Sequence, residues 1–160
     1  MIVNSSEVFN ELSELGCQAV QPPNDLLLFC PSLAWLDGFC KWFLTHPDSR
    51  HVVERWDCED ITRAFIYHAS KALVDSVAIS DAVGHTIGFA KVTLSTWLED
   101  GEESKGLNGI MPAPPATHMT AIGKFNDGEY YFIEPQTGQK TNAKTAIDRG
   151  IVGAFLWAWV

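Results

Sequence analysis

The sequence predicts an α+β domain, with helices in its first half and a mainly antiparallel sheet in its second. Three observations carry this. Apolar residues recur at helical spacing in three segments before residue 75. From His85 onward the pattern turns to β-branched residues in weak alternation. An Asn-Asp-Gly run then separates two strand-like segments, a strong hairpin signal. At 160 residues the chain fits one domain spanning 1–160.

Taken in order, "SSEVFNELSELG" reads as a first helix. Ser5 or Ser6 can cap it, Val8, Leu12 and Leu15 form a stripe, and Gly16 stops it. "DLLLFCP" (Asp25 to Pro31) is a short strand or extended lead-in. Ser32 then caps a second helix, "LAWLDGFCKWFLTH", ended by Pro47, with Leu36, Phe39, Cys40 and Phe43 on one face. A third helix runs from about Cys58 to Val74, its stripe made by Cys58, Ile61, Phe65, Ala69 and Ala72. "HTIGFAKVTLS" follows as a strand, then "THMTAIGKF" and "EYYFIEP" around the hairpin turn, and "IVGAFLWAWV" as a last buried strand. Between Trp97 and Thr117 lies a Gly- and Pro-rich stretch with little periodicity, and a loop of that length is usually functional.

Composition narrows the function. Hydrophobic residues make up 46% and charged residues 19%, a globular balance. The net charge of −9, with eleven scattered basic residues, argues against nucleic acid and favours basic partners or divalent cations. The N-terminal residues show no signal-peptide pattern, and no apolar run approaches the ~18 residues of a membrane span. A cytoplasmic, reducing location is the default expectation. The four cysteines, Cys17, Cys30, Cys40 and Cys58, have no zinc-finger spacing.

One constellation could carry chemistry. Cys58 sits at a helix start, which favours a thiolate. His118 opens one hairpin strand and Glu134 closes the other. If Asn126, Asp127 and Gly128 form the loop, Phe125 pairs with Glu129 and Thr120 with Glu134. His118 then shares a face with Thr120 and lies diagonally across from Glu134. A one-residue slip would separate them. Asp57, Glu59 and Asp60 oppose a thiolate at Cys58. They can be read as helix-capping groups, Asp57 at the cap and Asp60 at the third helical position, or as ligands of a hard cation such as calcium.

"WDCEDITRAF" and "HMTAIGKFNDGEYYFIEPQTG" resemble the nucleophile helix and the His and acid strands of the papain-like cysteine peptidases in the broad sense, transglutaminase-like branches included. They are also similar to the papain-like C-terminal domain of fungal chimeric agglutinins. The resemblance implies helices carrying the nucleophile packed on the sheet. Cys58 would be nucleophile, His118 base and Glu134 orienting acid, with Trp56 and Gln136 at the substrate or oxyanion position. Asp57, Glu59 and Asp60 would serve calcium. The implied activity is thiol hydrolysis of amide bonds, as a peptidase or deamidase on a protein or peptide substrate. No Gln lies shortly before Cys58, so backbone N–H groups would have to supply the oxyanion donors.

A second reading keeps the fold as a non-catalytic protein-binding or inhibitory module, motivated by the carboxylates around Cys58. A cysteine on an apolar helical stripe is also an ordinary core residue. His46, His51, His68 and His85 have no ligand-spaced partner and are expected to bind nothing. The tryptophans, notably Trp35, Trp42, Trp157 and Trp159, read as core and rim, although an exposed aromatic cluster would favour a lectin-like alternative.

Overall fold

The computed structural model describes residues 1–22, 24–50, 58–76, 83–94 and 116–160. Its centre is a six-stranded sheet in the order β2 (Val20–Gln21), β9 (Val152–Trp159), β5 (Ile87–Leu94), β6 (Ala116–Lys124), β7 (Tyr130–Glu134) and β8 (Gln139–Asn142). All its pairs are antiparallel except β2 with β9. A smaller three-stranded sheet joins β1 (Ile2–Asn4), β3 (Leu27–Phe29) and β4 (Val83–His85). Two-residue and three-residue strands are too short to show a period, which is why β1, β2 and β4 leave no mark in the sequence.

Strand alternation sends successive side chains to two cores. Ala121 and Ile133 join one core with α2 (Leu33–Phe43) and α3 (Cys58–Ser76), through Leu36, Phe39, Phe43, Ile61, Phe65 and Leu73. Their chain neighbours Ile122 and Phe132 join the other, with Val8 and Leu12 of α1 (Ser5–Glu14) and Ala143 and Ala146 of α4 (Ala143–Asp148). The large sheet is therefore covered by helices on both faces. The coarse α+β expectation stands.

The helix ends follow local chemistry. Asn4, one residue before the expected serines, caps α1 by accepting from the Ser6 N–H at 2.9 Å. Gly16, at φ +88°, turns the chain out of α1, and the Cys17 N–H returns to the Leu12 carbonyl at 3.1 Å. Ser32 caps α2 by accepting from the Trp35 N–H at 3.1 Å. A 3-10 turn, Pro47–Ser49, follows α2. Lys124, at the end of β6, is 4% exposed and reaches both Glu11 carboxylate oxygens of α1 at 2.7 Å. The hairpin adopts the register needed for His118 and Glu134 to meet, with the Phe125 N–H donating to the Glu129 carbonyl at 3.0 Å.

No helix among the described residues is long and apolar enough to cross a membrane. The predicted loop from Trp97 to Thr117 lies almost wholly outside the described residues.

Candidate functional site

Cys58 opens α3 and is half-buried. His118 on β6 and Glu134 at the end of β7 are 3% and 1% exposed, and His118 Nε2 lies 2.5 Å from Glu134 Oε2. The other Glu134 oxygen accepts the Gln136 backbone N–H at 3.2 Å, so Gln136 holds the carboxylate through its main chain. Burial alone would lower the His118 pKa. Hydrogen bonds to Cys58 and Glu134, and the charge of both, override it and lift the group to about 9. Both partners thus favour the protonated imidazole, which lies between the Cys58 sulfur and the Glu134 carboxylate. Chemically, such a trio can share a proton between sulfur and nitrogen while the carboxylate fixes the ring.

The structure brings these three side chains together, while Asp57, Glu59 and Asp60 are described only in part. Trp56 and Asp57 lie outside the described residues. Glu59 forms an ion pair with Arg63, one turn along α3, and Asp60 is half-buried beside it. Among the described residues, the side chains whose ligand atoms converge are instead His46, Asp48 and His68, a set that sequence spacing does not suggest.

Beside the trio runs a groove of about 280 Å³, lined by Glu59, Arg63, Phe89, Met119, Trp157 and Trp159. Glu59 follows Cys58 in the chain, and Met119 follows His118. Phe89 and Trp159 are direct partners across β5 and β9, and their rings stack at 5.6 Å and 2°. Trp159 remains 40% exposed. Phe89 beside it is half-buried, so Trp159 is the exposed member of the stack. The closing "FLWAW" could have suggested this wall. Its two tryptophans stand two residues apart and so share a face. Trp35, by contrast, stacks on Phe39 at 5.2 Å.

No protein-family model matches the sequence, and no curated protein matches it. Several solved structures share the fold. One is the PSL1a–E64 complex, at TM-score 0.66 and 14% identity, over 99% of this chain and 50% of the other. Another is a Polyporus squamosus lectin bound to the human-type influenza-binding epitope Neu5Acα2-6Galβ1-4GlcNAc. It aligns at TM-score 0.65 and 15% identity, over 99% of this chain and 49% of the other. The chain spans about half the length of these neighbours.

The comparison corrects the expectation drawn from the two motifs. The fold is shared with lectin chains, and the assignment to papain-like or transglutaminase-like peptidases, with its agglutinin-domain variant, is withdrawn. The thiol-hydrolase activity that assignment implied is withdrawn with it. The physical reason lies in what the motifs encode. A buried imidazole must find partners wherever it is buried. A helix-start thiol and a strand-end carboxylate supply them as a local contact, which does not by itself select a fold or a reaction.

Proposed function

We propose that the chain is a binding module that takes a saccharide in the groove between α3 and the paired strands β5 and β9. The observation that carries this is the wall of Phe89, Trp157 and Trp159 facing the Glu59–Arg63 pair. A sugar ring presents an apolar C–H face and a rim of hydroxyls. The stacked aromatics suit the face, while the carboxylate and guanidinium suit the rim. Small-molecule sites occupy roughly 300–1,000 Å³, and this groove, at about 280 Å³, sits at the small end and suits a single sugar ring. The glycan held by the Polyporus squamosus lectin supports the class of ligand.

In this reading Cys58, His118 and Glu134 support the groove from outside its lining. Their part is to set the position of α3, and hence of Glu59 and Arg63, against β6. The test is glycan binding by the whole chain on an array that includes Neu5Acα2-6Galβ1-4GlcNAc and its desialylated form. Trp159→Ala is expected to weaken retention of the bound glycan at least about tenfold, the loss of one well-packed aromatic contact. Trp42→Ala, a distant exposed tryptophan, should leave it unchanged. Equal binding by wild type and Trp159→Ala, or no glycan retained by either, would sink the reading.

A further inference from the structure

We propose that His46, Asp48 and His68 form a binding site for a zinc-class divalent metal ion, separate from the groove. His46 and Asp48 flank Pro47 at the turn after α2, and His68 lies in the middle of α3. The Asp48 Oδ2 atom lies 3.3 Å from His46 Nδ1 and 3.1 Å from His68 Nε2. A tetrahedral zinc with bonds of about 2.0–2.2 Å has ligand-to-ligand edges of about 3.3 Å. Two of the three edges are therefore already at the required length. The three ligand atoms all lie within 4.8 Å of one another, so the remaining nitrogen-to-nitrogen edge needs at most about 1.5 Å of closure.

The Asp48 backbone N–H donates to His46 Nδ1 at 3.3 Å, a long contact that an entering ion would displace to take that nitrogen's one lone pair. Packing holds the rings in place. The centroids of His46 and His68 are 4.4 Å apart, and Trp42 stands 5.5 Å from each.

Two imidazoles and one carboxylate form a nitrogen-rich set, which suits zinc and its late transition-metal neighbours over calcium or magnesium. His46 and Asp48 keep 31% and 37% of their side-chain surface exposed, so a fourth position opens to water. Bound there, the ion would brace the turn against α3.

The test uses the chelator-stripped whole chain, titrated with zinc by calorimetry and with cobalt by visible absorption. One ion per chain is expected, with a tetrahedral cobalt spectrum, quenching of Trp42 emission and a raised Tm. Binding should weaken at least about tenfold in His68→Ala and in Asp48→Asn, and persist in Cys58→Ser. His46→Gln, at a more exposed position, supplies the same readout if His68→Ala fails to fold. No saturable binding would overturn the proposal. So would binding that survives these variants but is lost in Cys58→Ser, which would place the ion at Cys58, His118 and Glu134.

Discussion

Replacing Glu134 with glutamine removes the charge facing His118 while keeping nearly the same side-chain shape. The pair is almost fully buried, and its 2.5 Å contact belongs to the strong, charge-assisted kind. Breaking such a pair from one side costs about 3–5 kcal/mol. The amide oxygen of the new side chain can still accept from the Gln136 N–H, which points to the lower end, about 3 kcal/mol. Linkage sets a ceiling for the His118 site as a whole, in which the hydrogen bond to Cys58 acts beside that to Glu134. His118 titrates at about 9 in the folded chain against an ordinary 6.5, a difference of roughly 3 kcal/mol at most. Because the folded value is the raised one, this stabilisation is fully present below pH 6.5 and is lost as pH rises through 9. Urea denaturation from pH 6 to 9 should therefore show stability falling in wild type, with a much flatter profile in Glu134→Gln. In parallel, the His118 ring resonances should titrate near 9 in wild type and well below that in the variant. A midpoint that stays near 9 in Glu134→Gln would refute the argument that the carboxylate sustains the cation.

Two further variants test the scaffold around the groove. A Cβ at Gly88 would come within 1.9 Å of the Trp159 carbonyl oxygen on β9, and main chain cannot step aside. Gly88→Ala is expected to cost at least about 2 kcal/mol in denaturant melts and to weaken ligand retention by displacing Trp159. Lys124→Met strands the Glu11 carboxylate, which keeps the Tyr130 hydroxyl as a partner at 2.7 Å. A loss of about 1–3 kcal/mol is expected, since Glu11 is partly exposed, and Glu11→Leu in the same chain should recover most of it.

Legibility followed the length of each pattern. The α2 stripe, the α3 stripe and the NDG hairpin each span several periods, and each appears where the spacing places it. The hairpin register was readable because its turn fixes which residues face each other, so the His118–Glu134 contact follows from counting outward from Gly128. The parallel pairing of β2 with β9 was not readable, since a two-residue strand is recruited by its neighbour and not by its own pattern. The aromatic wall was hidden for another reason. Phe89 and Trp159 meet through the pairing of β5 with β9, seventy residues apart, and a bulge between Lys91 and Val92 shifts that register. His46, Asp48 and His68 escaped notice likewise: their convergence depends on how α2 packs on α3.

Helix α3 connects the proposals. Its first two turns carry Glu59 and Arg63 along the groove, and His68 lies ten residues past Cys58, about 15 Å along a rigid axis. An ion at His68 cannot change ligand affinity merely by being on the same helix. Coupling requires that the ion and the ligand prefer different positions of α3. The packing of Phe65 against Phe39 and Phe43, with ring centroids 5.0 and 5.2 Å apart, opposes any sliding between α2 and α3. A close-packed contact of that kind is either intact or broken, with little in between. The expectation is therefore two independent sites: zinc should raise the Tm and leave the glycan dissociation constant unchanged. A zinc-dependent shift in that constant would show that α3 occupies two positions, and the aromatic cluster between the sites would be where to look for the second.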